Sequence, residues 1–184
     1  MAADKQLVKE RFEANFKRYD RLAVVQQRIC AELDDLAGGY CRLPVSNILE
    51  IGIGTGFFTS RLAMRWPDAF LYLNDLVPAA EAFVAKYAAG RQHEYLWGDA
   101  ESIAFPSGLD IVASASTVQW FDDLPAFISK AAASTKTGGS LLLSTFGPRH
   151  FHDTRTTPDD ALDYYHPEDL LQHSHSNGLE ILNI

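Results

Sequence analysis

The chain has 184 residues, 47% hydrophobic and 22% charged, with a formal net charge of −8, which is enough for one domain with a sizeable core. The acidic balance argues against a dedicated nucleic-acid binder, and no apolar run approaches the roughly 20 residues of a membrane span. Cys30 and Cys41 stand in neither a metal nor a CxxC spacing, and Met1–Lys5 holds no apolar signal region, so a reducing cytoplasm is the expected setting.

Residues 4 to 36 carry apolar side chains at three- and four-residue steps (Leu7, Val8, Phe12, Phe16, then Val25, Ile29, Leu33, Leu36). Two helices are expected, with a break at Tyr19-Asp20 and an end at Gly38-Gly39. Between Lys9 and Arg28 six basic residues face three acidic ones. This local excess is either a solvated helix face or a docking face for an acidic macromolecule.

Short apolar strands then alternate with amphipathic helices. Strands are expected at about 47–51, 70–74, 94–97, 110–114 and 140–145, and helices at about 56–66, 78–87 and 124–133. Such alternation means βαβ units, and so an α/β, doubly wound, mostly parallel sheet with helices on both faces. Residues 147–166 break the rhythm with two prolines, three histidines and two arginines, and read as a lid loop. A helix over 167–175 and a sixth strand over 179–184 follow. The chain is expected to form a single domain, 1–184, divided into N-terminal helices (1–40), a cofactor-binding core (45–146), the lid loop (147–166) and the last helix and strand (167–184).

The stretch Ile48-Leu49-Glu50-Ile51-Gly52-Ile53-Gly54-Thr55-Gly56-Phe57 runs from strand to glycine turn to helix. Glycines permit positive φ and leave no Cβ in the way of a ligand, and a helix N-terminus adds unpaired N–H groups. The spacing is GxGxG. A dinucleotide site uses GxGxxG, and its last glycine position is Phe57 here, which would crowd a pyrophosphate. Asp75 ends the next strand, where its carboxylate either accepts ribose hydroxyls or leads the helix at Pro78. Asp99, after the third strand, either faces a ligand or caps a short helix.

GxGxG preceded by Glu50 resembles motif I of the class I S-adenosylmethionine-dependent methyltransferases, whose fold is Rossmann-like. The resemblance implies S-adenosylmethionine as cofactor, S-adenosylhomocysteine as product, and Glu50, Gly52, Gly54, Thr55, Gly56, Asp75, Leu76, Asp99, Ala100 and Ser114 as cofactor-binding residues. A finer resemblance runs from Arg11-Phe12, Tyr19-Asp20 and Gln26-Gln27 through Ser114–Trp120 to Ser144–Pro148. These pieces look like the malonyl-acyl-carrier-protein O-methyltransferases of biotin synthesis. Departures are Ile53 where Cys is frequent, Ala115 where Asn is, and Val77 where Ser is. The family's seventh, antiparallel strand is expected to be absent from this chain.

The finer resemblance implies methyl transfer to the free carboxylate of malonyl-acyl-carrier protein, without a general base and without a metal. Five residues are candidates for positioning the acceptor. Tyr19 either donates a hydrogen bond or is an interface tyrosine. Arg149 and Arg155 either pair with the carboxylate or are surface charge. Gln119 and Trp120 follow strand four, and Trp120 either walls the pocket or fills the core. Lys9, Arg11, Lys17, Arg18, Arg21 and Arg28 are the candidate carrier-docking residues; no nucleic-acid or membrane partner is expected. A small-molecule carboxyl methyltransferase of the trans-aconitate type and a non-catalytic S-adenosylmethionine-binding domain are the alternatives.

Overall fold

The computed structural model describes residues 5–41, 44–148 and 164–184, with the backbone alone over 15–22. In chain order the elements are α1 (Lys5–Leu22), α2 (Val24–Tyr40), β1 (Asn47–Ile51), α3 (Phe57–Arg65), β2 (Phe70–Asp75), α4 (Glu81–Ala88), β3 (His93–Trp97), β4 (Leu109–Ala115), α5 (Leu124–Ser134), β5 (Thr135–Ser144) and α6 (Pro167–Ser176). One-turn 3-10 helices at Pro78–Ala80 and Val118–Trp120 complete the set. No helix among the described residues is long and apolar enough to cross a membrane.

The five strands form one sheet in the order β3-β2-β1-β4-β5, every pair parallel. β1 is central, and the strand order reverses between β1 and β4. In open α/β sheets this reversal opens a crevice beyond the carboxyl ends of the strands. The alternation of side chains along β1 divides the core. Ile48 joins α2, α3 and α4 in one apolar cluster, with Leu33, Leu62 and Val84. Leu49 and Ile51 join α5 in the other, with Phe127 and Ile128. Glu50 shares its face with Ile48 and is therefore carried into the first cluster, 2% exposed.

Four expectations need correction. The α1–α2 corner lies at Ala23, not at Tyr19-Asp20. Ala23 leaves helical geometry (φ −79, ψ 44) and is buried, so a small side chain that fits the core sets the corner. α2 runs through Gly38-Gly39 to Tyr40. Gly38 serves the helix pair instead: a Cβ there would sit 2.9 Å from Cζ of Arg65, whose guanidinium binds Asp34 through Nε (2.5 Å) and Nη2 (2.9 Å). β5 starts at Thr135, with a register shift between Leu109 and Ile111 on the facing strand. Gly138-Gly139 sits inside this irregularity, and a Cβ on Gly139 would meet the Asp110 carbonyl oxygen at 2.8 Å. Residues 179–184 form no strand among the described residues. Leu179 packs against the cluster that includes α5, and β-propensity alone makes no strand.

Candidate functional site

The glycine turn leaves the end of β1 and is clamped by the end of β2. The N–H groups of Gly52 and Ile53 both donate to the Asn74 carbonyl (2.9 and 3.1 Å). The Gly54 N–H donates to Asp75 Oδ2 (2.8 Å). Asp75 Oδ1 accepts from Val77 N–H (2.8 Å), and Asn74 Nδ2 reaches across to the carbonyls of Leu96 (2.6 Å) and Gly98 (3.0 Å). β2 thus fixes the turn on one side and the end of β3 on the other. The amides of 52–54 are consumed by this clamp, so the donors left for a ligand are the Thr55 N–H and those of the first turn of α3.

The three glycines do different things. Gly52 (φ 74) lies under Thr117, 2.7 Å from its Cβ if a methyl were added. Gly54 (φ 51) faces open space: nothing lies within 4 Å of where its Cβ would be. Gly56 (φ 86) caps α3, and a Cβ there would meet Val84 and Tyr87 of α4 at 2.9 Å. It is therefore a packing glycine.

Beyond this turn lies a cleft with about 1020 Å³ of empty space, open solvent included. Its lining includes Glu50, Gly52, Gly54, Thr55, Asp75, Leu76, Asp99, Ala100 and Trp120. Gly56 and Ser114 are not in the lining. Ser114 is fully buried within the sheet, where its hydroxyl donates to the Ile51 carbonyl at 3.1 Å. Gln119 is also outside the lining; its Nε2 donates to the Ser116 carbonyl at 2.7 Å. The Tyr19 side chain, Arg149 and Arg155 lie outside what is described. Among the described residues no group of three or more His, Cys, Asp or Glu side chains is placed to hold a metal ion.

Lys5 carries no sequence signal. α1 lies across the mouth and presents one face, Lys5, Val8, Lys9 and Phe12. Phe12 meets Trp120 edge to face, centroids 6.1 Å apart. Lys5 Nζ donates to Asp99 Oδ2 (2.7 Å) and to Glu101, and lies 3.4 Å from Asp122. Burial disfavours the Lys5 charge, but the bonds to Asp99 and Glu101 outweigh it and hold the ammonium above its ordinary value. The other oxygen of Asp99 accepts from the Glu101 N–H at 3.0 Å. Asp99 thus braces the turn after β3, where no helix forms among the described residues, and its other oxygen holds Lys5. Ser116, with φ 55, is the single non-glycine residue at positive φ among those described, a conformation costing about 1–2 kcal/mol.

Like Asp75, Glu50 is a perturbed acid of the cleft. Burial pushes its carboxyl up to about 8; the Thr59 hydroxyl opposes the rise, and the Asp75 charge adds to it. Oε2 has no hydrogen-bond partner. Between its ordinary 4.5 and about 8 the folded protein keeps a proton that the unfolded chain releases. Stability without ligand therefore falls as pH rises through that window. Glu50→Gln is expected to remove the fall, so its advantage over wild type should widen from about pH 5 to about pH 8.5 in urea titrations. Parallel curves for the two proteins would contradict the burial account.

The residues fit S-adenosylmethionine. Gly54 leaves a cradle that a Cβ would fill, and Glu50 Oε2 and Thr55 Oγ1 are buried, unpartnered polar atoms on cleft-lining residues. The family described as "Methyltransferase domain" matches residues 49–143, the segment from β1 to β5 that builds the cleft. The chain is 31% identical over 188 aligned residues to the malonyl-[acyl-carrier protein] O-methyltransferase of Acinetobacter baylyi, covering 98% of this chain and 70% of that protein. It is 33% identical over 167 to the protein of that name from Prosthecochloris aestuarii, covering 88% and 62%. The chain thus spans about two thirds of these relatives' length. The magnesium protoporphyrin IX methyltransferase of Synechocystis PCC 6803, solved with bound S-adenosylmethionine, shares the fold at a TM-score of 0.73 and 17% identity, over 100% of this chain and 89% of that one. The chain belongs to the class I S-adenosylmethionine-dependent methyltransferases, and S-adenosylmethionine is its cofactor.

Proposed function

We propose that the acceptor is the free carboxylate of a malonyl thioester on acyl carrier protein, an early step of biotin synthesis in the cytoplasm. The observation that carries this reading is the likeness to malonyl-acyl-carrier-protein O-methyltransferases along nearly the whole chain. Bound in the cleft, the cofactor would supply an electrophilic sulfonium methyl group, and the acceptor carboxylate oxygen would take it as the C–S bond gave up its electrons to a neutral thioether. A carboxylate is ionised at neutral pH and needs no base to remove a proton.

The protein's part is then to hold and to exclude. Asp75 keeps the glycine turn in place and retains lone pairs for ribose hydroxyls, since each carboxylate oxygen accepts more than one bond. Asp99 would accept from the adenine amino group, and a cationic ligand group near the buried Glu50 would keep that carboxylate ionised. Phe12, Trp120 and Phe121 wall the acceptor side with apolar surface and strip water from the carboxylate, which raises its reactivity.

Carrier docking falls to the N-terminal helices. Of the candidate residues, Lys9 lines the cleft and Arg28 pairs with Glu32 at 3.0 Å. The side chains of Lys17, Arg18 and Arg21 lie outside the described set. Methyl transfer from labelled cofactor to malonyl-carrier protein is expected to exceed transfer to trans-aconitate. Charge reversal at Lys17 and Arg18 should raise KM for the carrier-bound acceptor and not for a small malonyl thioester. Preference for trans-aconitate would replace this reading with a small-molecule one, and cofactor binding without turnover on any carboxylate would make the chain a binding domain.

A further inference from the structure

We propose that the acceptor carboxylate is received between the hydroxyl of Ser116 and the ammonium of Lys9. The proposal rests on reading the chain as a carboxyl methyltransferase.

Ser116 follows β4 and lines the cleft. It holds a left-handed conformation, φ 55, that serine adopts less readily than glycine or asparagine. Its neighbours pin it there. Its N–H donates to Ser144 Oγ at 3.0 Å, and its carbonyl accepts from Gln119 Nε2 at 2.7 Å. Gln119 thereby acts through Ser116, as a positioning residue. Strain of this kind persists where the surroundings enforce it, and it gathers at functional sites. The hydroxyl is shielded from solvent and bonds to no protein atom. A shielded hydroxyl left without a partner is a cost that a ligand oxygen removes. The next residue, Thr117, spends its own hydroxyl on the Ala115 carbonyl (3.3 Å) and lies on Gly52. That contact sets the Ser116 turn directly beside the cofactor cradle.

α1 also lines the cleft. Two cations of the described residues line the cleft, Lys5 and Lys9, one helical turn apart. Lys5 is committed to Asp99, Glu101 and Asp122. Lys9 forms no ion pair among the described residues, and Phe12, three residues on, anchors this part of α1 against Trp120. A neutral hydroxyl and one partly hydrated ammonium orient a carboxylate without neutralising it fully, so one oxygen keeps its lone pair for the methyl group. The arrangement selects for an ionised acid over an ester or amide of the same shape, neither of which pairs with Lys9.

Malonate is the probe, titrated by calorimetry into the protein saturated with S-adenosylhomocysteine. Ser116→Gly is expected to weaken malonate about tenfold, and Lys9→Met by a similar factor, with affinity for S-adenosylhomocysteine unchanged. In transfer assays both should raise KM for the malonyl acceptor far more than they lower kcat. Glycine suits φ 55, so a merely structural serine would be replaced by it without loss. A Ser116→Gly protein that binds malonate like wild type overturns the proposal, and so does a wild type that binds none. Malonate binding that is lost in both variants, without methyl transfer to any carboxylate, would keep the subsite and reject the reaction.

Discussion

Replacing Gly54 with alanine is expected to weaken cofactor binding sharply and to leave the fold standing. An alanine at φ 51 carries a left-handed penalty of about 1–2 kcal/mol, within the reserve of an ordinary domain. Its Cβ meets no protein atom within 4 Å, so packing adds nothing to that cost. The methyl group instead enters the space a ligand must fill, and overlap of this size costs about 1–3 kcal/mol, or roughly ten- to a hundredfold in affinity. Gly52→Ala reverses the balance. It combines φ 74 with a Cβ driven against Thr117, and the two costs together reach about 3 kcal/mol or more. Urea midpoints and calorimetric titration of S-adenosylmethionine, run on both variants, separate the effects. A Gly54→Ala protein with wild-type affinity would mean the cofactor does not lie on this turn.

Asp75→Ala is expected to cost both stability and binding. Both carboxylate oxygens hold main-chain N–H groups, of Gly54 and of Val77, each at 2.8 Å, and Asp75 is 8% exposed. Removing the carboxylate strands the buried Val77 N–H, at about 1–3 kcal/mol, and frees the glycine turn from β2. Asp75→Asn keeps one acceptor but turns an NH₂ group toward the other donor, so it should fall between alanine and wild type in urea midpoint. Cofactor affinity is expected to drop in both. If stability fell while affinity held, Asp75 would be a clamp alone and the ribose contact would belong elsewhere.

The parts of the fold that could be read in the sequence are those governed by local rules. β1 to β4 lie where apolar runs are bounded by Gly, Pro or Asp, and α5 starts at the Asp123 cap, whose side chain accepts from the Ala126 N–H at 2.9 Å. Misplaced elements were decided by distant contacts. Gly38-Gly39 has the composition of a helix end, yet α2 continues because Arg65 of α3 occupies the space beside it. Residues 179–184 have the composition of a strand and lack a neighbour. The site divides in the same way. Glu50, Gly52, Gly54, Asp75 and Asp99 sit at strand ends, which spacing reveals. Lys5 reaches Asp99 across 94 residues, and no local pattern marks such a pair. Ser116 takes a conformation that glycine or asparagine would have advertised and serine does not. Asn74 reads as an ordinary strand residue, and only the sheet shows that its side chain ties β2 to β3.

The glycine turn hangs from β1, the strand paired along its length by β2 on one side and β4 on the other. Such a strand opens only when the whole sheet opens. A ligand on that turn therefore stabilises the domain as a whole, by about 2.7 kcal/mol at a hundredfold excess over Kd. Proteases cut the open chain, and its population falls in proportion. The lifetime of this enzyme in a cell would then follow the supply of the methyl donor it uses.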